Sequence, residues 1–266
     1  MVATNTLISI AEEHGLDLNF VTRWDPPEGD DLRPLIAMPN LPRPTHGEGM
    51  QPRTIFGATA WNKTRKRCYK AANDTCEICG DKPENTRFRH SHETFSIDYE
   101  RGTSTFIRCF CVCAQDHLSC IHNGRALTLY SKGASYMTAE KLLTGAEKAF
   151  SIVRDYNKDH PGADIRLYST YIEYLKHMEL RGPLLNLIKQ YDVKFYMEDP
   201  KKTAKWKDWR VVVNGKEYHT PYKNEKEWEK AMEQRNYNDT LNKDGLKIKE
   251  LSAKEVAEEH NKLKGF

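Results

Sequence analysis

Long apolar runs are missing from this sequence: nothing approaches the roughly 18 consecutive apolar residues that cross a bilayer, so a membrane-spanning chain is not expected. The opening residues, MVATNTLISIAEEHG, have no basic stretch ahead of an apolar one and turn acidic early, unlike a secretory leader. No G-x-G-x-x-G, phosphate-loop or G-x-S-x-G element occurs, which leaves nucleotide-dependent and acyl-transfer enzymes without support. An excess of one charge is missing too. Across 266 residues, 41 Lys and Arg stand against 38 Asp and Glu, so any basic patch must be local. That length suffices for one large or two small domains.

Cysteine is nearly confined to one region, with six of the seven lying between Cys76 and Cys120. An odd number crowded together suits a metal site in a reducing, cytoplasmic compartment better than a disulfide framework.

Residues 5–15 pattern as a short helix with Leu7, Ile8 and Ala11 on one side and Gly15 as its stop. Residues 24–57 hold seven of the twelve prolines; each fixes φ and removes a donor, so this stretch is expected to stand off as an irregular arm. A helix is expected over 58–72, carrying Trp61, Arg65, Cys68 and Tyr69 and broken by Asn73-Asp74. Strands are expected over 87–95 and 105–112 around a turn at Arg101-Gly102, followed by a helix from Cys113 to about Gly124.

Beyond Gly133, Thr138 caps a core-facing helix with Leu142, Leu143, Ala146, Phe150 and Val153 at helical spacing. A second helix is expected over 163–180, with Leu167, Tyr171, Tyr174 and Leu175 on one face, and a third starting at Pro183. Asn214-Gly215 between β-prone segments predicts a hairpin over 209–222, since both turn positions need φ > 0. Helices over 225–235 and 252–263 complete the reading.

Cys76-Glu-Ile-Cys79-Gly80 has the residue types of a zinc knuckle: two thiolates three positions apart, on a turn relaxed by glycine, reach adjacent vertices of a tetrahedron. A helix beginning near Cys113 sets Cys113 and His117 one turn apart, which makes Cys76, Cys79, Cys113 and His117 the expected ligands of a structural Zn2+. Cys111 and Cys120 are substitutes, as is His122 for His117. His92, in RFRHSHETFSID, and His122, in IHNGR, are placed to converge beside this site. A strand histidine there can deprotonate water while a second histidine helps hold a divalent cation against a phosphodiester.

The stretch from Trp61 to about Gly133 resembles the ββα-metal, or HNH, endonuclease family embedded in a treble-clef zinc site. The resemblance is carried by Trp61 and Arg65; by Tyr69, Cys76, Cys79 and Gly80; by His92, Glu93 and Asp98; by Cys113 and His117; and by Ile121, His122, Gly124 and Arg125. It implies His92 as general base, His122 with Asp98 as ligands of a catalytic Mg2+ or other divalent ion, and the knuckle set as structural zinc. The chain departs from the family at two places. Ser91 stands where many members carry an acid or histidine, leaving His90 or Asp98 to substitute. Residues 102–113 contain no base-orienting asparagine, and Asn123 is not its equivalent.

NKTRKRCYK brings Lys63, Arg65, Lys66, Arg67 and Lys70 onto a helix beside the knuckle with no acid among them, a candidate phosphate-binding face; Arg125 is the candidate phosphate contact just past His122. KKTAKWKDWR interleaves cations with Trp206 and Trp209, which serves either base stacking or a core. The expected chain is α+β: an arm over 1–57, a ββα-metal/treble-clef zinc module over 58–135, a helical unit over 136–200, and a hairpin with helices over 201–266. The expected function is an HNH-like endonuclease acting on DNA more readily than RNA, in the cytoplasm of a bacterium or encoded by a phage. The alternative is a catalytically degenerate module that binds nucleic acid or a protein. Self-association through the arm is a further expectation.

Overall fold

The computed structural model describes residues 4–46, 50–83, 89–113 and 120–239. Helix α1 (Thr4–Glu13) buries Leu7 and Ala11 and ends before Gly15, whose φ of 62° stops it. Strands β1 (Leu18–Val21) and β2 (Arg23–Trp24) follow, then 3-10 turns at Arg33–Ala37 and Arg43–Thr45, each with a proline as its second residue. Helix α2 (Pro52–Ala71) is broken at Gly57 (φ 77°, ψ 160°), so its regular part matches the helix expected over 58–72. Asn73 and Asp74, both at positive φ, terminate it.

Next come β3 (Arg89–Asp98), β4 (Thr103–Cys113), α3 (Asn123–Ser131), α4 (Ala139–Asp159) and β5 (Leu167–Tyr168). A 3-10 stretch at Ser169–Lys176, α5 (Met178–Tyr191), β6 (Phe195–Glu198), β7 (Arg210–Val213), β8 (Lys216–His219) and α6 (Glu225–Asp239) complete the described chain. The architecture is mixed α and β. One five-stranded sheet has the order β2-β3-β4-β7-β8, and a three-stranded parallel sheet has the order β1-β6-β5.

The long β3–β4 hairpin carries His90, His92 and Cys113. Its register runs from Arg89↔Cys113 to Asp98↔Thr103, with one extra residue, Ile107, between the pairs Thr94↔Arg108 and Phe95↔Phe106. Arg89, Ser91, Glu93, Phe95 and Ile97 therefore share one face with Cys111, Cys109, Phe106 and Ser104. Helix α2 covers that face: the Arg89 guanidinium lies 4.6 Å from the Tyr69 ring centre, and Phe106 stacks edge-on against both Phe56 and Phe95. A small core of Phe95, Ile97, Trp209, Val211 and Val213 closes the turn end of this face. His90, His92 and Thr94 point to the other face, toward the main core.

Four expectations need correction. The proline-rich stretch is not an arm throughout, because Pro34, Leu35, Ile36 and Ala37 are buried in the main core, where apolar side chains outweigh local irregularity. The helix expected from Cys113 to Gly124 does not begin at Cys113, where β4 continues; residues 114–119 lie outside the described residues, Cys120 and Ile121 are π-helical, and α3 starts after His122. The helix expected over 163–180 is a two-residue strand followed by a 3-10 stretch. The next helix starts at Met178, with Pro183 inside it where only one intrahelical bond is lost. Finally, 136–200 is not purely helical, since β5 and β6 pair in parallel with each other and β6 with β1, and the main core mixes its residues with those of α1 and the knuckle.

Thr138 caps α4 through Lys141 N–H, and Asn214 (φ 52°) with Gly215 (φ 77°) turns the β7–β8 hairpin, both as the sequence predicts. The helix expected over 252–263 lies outside the described residues.

Candidate metal centre and adjoining histidine pair

The knuckle forms because glycine tolerates what its turn demands. Gly80 (φ 74°) donates its N–H to the Cys76 carbonyl at 2.9 Å, and Cys76 N–H donates to the Asp81 carbonyl at 2.8 Å. Glu77 clips this turn to β4: its N–H donates to the Cys111 carbonyl at 2.9 Å, and its carboxylate accepts from Cys111 N–H at 2.5 Å. Two residues on, Cys113 then falls beside the knuckle.

The sulfurs of Cys76, Cys79 and Cys113 all lie within 4.8 Å of one another, and those of Cys79 and Cys113 are 3.9 Å apart. A tetrahedral site with metal–sulfur bonds of 2.3 Å separates its sulfurs by about 3.8 Å, so the three thiols fit a thiolate metal site. Hydrogen bonds from the Cys113 and Cys79 thiols hold Cys76 far below the ordinary thiol value despite its burial. That direction favours the thiolate, the form a metal requires. These three cysteines can bind a metal ion such as zinc.

The expected fourth ligand, His117, lies outside the described residues. The substitutes are directed elsewhere. Cys120 donates its thiol to the Gly145 carbonyl at 3.3 Å, His122 turns toward His92, and Cys111 is not part of the close group of three thiols. Burial pushes Cys68, on α2, and Cys109, on the face that α2 covers, up to about 12.

On the opposite hairpin face, His92 sits across from Phe110, and its ring centre is 4.8 Å from that of His122. His92 Nδ1 is 2.7 Å from the Glu93 carbonyl oxygen. A carbonyl only accepts, so Nδ1 carries the proton and Nε2 keeps its lone pair. Burial pushes His92 down to about 4. His122 is pushed down to about 3 by burial and by the positive groups of His92, Arg125, His46 and His90. Both imidazoles are therefore neutral near pH 7, as a general base must be.

His122 is the residue immediately before α3, and two tyrosines tether its turn. Tyr171 donates to the Cys120 carbonyl and Tyr174 to the Asn123 carbonyl, each at 3.2 Å. Three residues per 3-10 turn put both hydroxyls on one face. The sequence pattern marks these tyrosines as core, and their hydroxyls have a second role that only the tyrosine pair at three-residue spacing in a buried stretch signals.

Asp98 is not brought to the histidines. It lies six residues along β3 from His92, roughly 20 Å at strand rise, and its carboxylate accepts from Arg101 N–H at 2.8 Å to cap the hairpin turn. Glu93 points to the α2 face, as an immediate strand neighbour of His92 must. His90 shares the His92 face. Lys63, Arg65, Lys66 and Arg67 are exposed on α2, across the hairpin from His92, whereas Arg125 is exposed on α3 beside His122. Trp209 is buried in the smaller core, so it is no stacking platform. Among the described residues, the group of three or more metal-ligating side chains is the cysteine set and does not include His122.

Comparison with models of protein families, with curated proteins and with solved structures gives no match. Among the described residues, no helix is long and apolar enough to cross a membrane.

Proposed function

We propose that this chain is a metal-dependent endonuclease of the ββα-metal type that hydrolyses phosphodiester bonds in DNA, with a structural Zn2+ on Cys76, Cys79, Cys113 and His117. The observation that carries the reading is the His92–His122 pair: a neutral strand histidine, fixed in the Nδ1–H tautomer by the Glu93 carbonyl, faces the histidine that opens the following helix. In this reading His92 Nε2 takes the proton of the attacking water, and Arg125 contacts the phosphate. A Mg2+ or similar ion near His122 supplies charge stabilisation at the phosphodiester, held by few protein ligands and by substrate oxygens, as is usual for that ion. Lys63, Arg65, Lys66 and Arg67 extend the basic surface for a nucleic acid long enough to reach round the hairpin.

One observation favours a second reading, a zinc-stabilised module that binds nucleic acid without cutting it: among the described residues neither Asp98 nor Glu93 reaches the histidines. Plasmid nicking with Mg2+, Mn2+ or Ni2+ decides between the two. Metal-dependent nicking that disappears in His92→Ala supports the enzyme. Salt-dependent DNA binding without nicking supports the module, and neither binding nor nicking overturns both.

A further inference from the structure

The two sheets have four outer strands, and among the described residues these edges are protected unequally. Strands β2 and β5 are two residues long, and β8 carries Lys216, Glu217 and His219; short length and charge both keep an open edge from pairing with another chain. Strand β1 has neither safeguard. Its four residues, Leu18, Asn19, Phe20 and Val21, include no charge and no proline, Asn19 is exposed, and Phe20 is 43% exposed.

Hydrogen bonding shows which backbone groups this edge offers. Phe195 N–H donates to the Asp17 carbonyl at 2.8 Å and Asp199 N–H to the Val21 carbonyl at 3.0 Å, so the odd-numbered residues turn their backbone groups toward β6. In a parallel ladder the alternate residues turn the other way, which directs the N–H and carbonyl of Phe20 to the open side. The flanks of Phe20 are opposite in charge, with Asp17 three residues before it and Arg23 three residues after it. Both pair within the chain, Asp17 with Arg166 and Arg23 with Asp25, yet their side chains stay 53% and 58% exposed and can meet a further partner.

A stretch of this form complements itself. When two copies of residues 17–23 run antiparallel about a two-fold axis at Phe20, each Phe20 exchanges both backbone hydrogen bonds with its counterpart, and the two rings share one face as a cross-strand pair. The same register sets Asp17 of each copy opposite Arg23 of the other. An in-register parallel arrangement would set like charges side by side.

We propose that β1 is a self-association surface: two copies of this chain pair antiparallel through β1, centred on Phe20, and join their three-stranded sheets into one continuous sheet. This places the self-association expected of the N-terminal stretch on a strand instead of on the prolines, and it does not use the nuclease reading. A single strand pair is smaller than a standard interface, so the dimer dissociates with a constant of roughly 1–100 μM.

The test is sedimentation equilibrium of the full, zinc-loaded chain over a range of concentrations, with the melting of each variant measured alongside. The expected result is a monomer–dimer equilibrium that Phe20→Lys weakens at least about tenfold. Asp17→Arg and Arg23→Asp, each alone, weaken it about tenfold through like charges facing across the axis. An equimolar mixture of these two variants recovers the dimer, because in the mixed pair both flanks again oppose a positive to a negative charge. A chain that is monomeric at every concentration overturns the proposal. So does a dimer left intact by a normally folded Phe20→Lys, and so does a mixture of the two folded charge variants that stays monomeric. None of these readouts involves DNA, so nicking can fail while the dimer stands, and the reverse.

Discussion

Glu77 and Cys111 are joined by two hydrogen bonds, the Glu77 N–H giving to the Cys111 carbonyl and the Glu77 carboxylate taking the Cys111 N–H. This pairing sets the knuckle against β4 two residues before Cys113, and so it sets the distance between thiols that are 34 residues apart in the chain. Glu77→Ala orphans the N–H of Cys111, a fully buried residue. It should cost about 1–3 kcal/mol in urea unfolding and weaken zinc binding at least about tenfold. Glu77→Gln retains an acceptor and should lose less on both measures. Equal zinc affinity in wild type and Glu77→Ala would show that the clip does not align the thiols.

Metal removal should be the largest single perturbation. The three thiol groups lie in or beside the main core, which includes Cys76 and Cys113, so an empty site leaves clustered, buried sulfurs without the ion that would hold them together. Elemental analysis should find one zinc per chain. A strong chelator should lower the melting midpoint, and Cys113→Ser should abolish the chelator's effect by removing the tight site. Melting that ignores chelator would refute a structural metal.

The parts of the site legible in the sequence are those fixed by short-range chemistry. Cys-x2-Cys-Gly encodes its own turn, and Asn214-Gly215 encodes another, because each positive φ is a local demand. The placement of His92 beside His122 followed from a motif, but its alignment depends on a carbonyl, Glu93 O, that no side-chain pattern advertises. Long-range features were hidden for a physical reason. Prolines at 34 and 44 look like breakers locally yet are buried once they start 3-10 turns, and the pairing of β1 with β6 joins residues far apart in sequence through strands of four residues each. The position of Asp98 follows from strand direction, which motif spacing does not encode: six residues along a strand carry it from His92 to the far end of the hairpin.

The tyrosine tethers predict a separation between stability and geometry. Tyr171→Phe and Tyr174→Phe each remove one hydroxyl from a buried carbonyl and should cost about 0.5–1.5 kcal/mol. Tyr174 bonds the residue next to His122, so on the proposed nuclease reading its loss should also lower the nicking rate more than it raises the DNA concentration needed for half-maximal rate. Tyr171 bonds Cys120, two residues before His122, and should affect the rate less. Steady-state nicking by the two variants makes the comparison; identical rates in both would mean the turn holds without either hydroxyl.

Glu93 carries the clearest pH signature. Burial raises its carboxyl above the ordinary value, an effect that exceeds the opposing pull of the exposed Arg53. Below the unfolded value, near pH 4.5, both states hold the proton and Glu93 costs nothing. As pH rises past that value the unfolded chain releases its proton first, so the native state binds more protons and stability falls until the folded value is passed. Glu93→Gln, which keeps size and one hydrogen-bond acceptor, removes this penalty. Its melting midpoint should therefore match wild type near pH 4 and exceed it near pH 8, well above the ordinary carboxyl value. A difference that is constant across the whole range would mean that Glu93 is ionised in the folded protein as easily as in the unfolded one, and that the face under α2 is open to water.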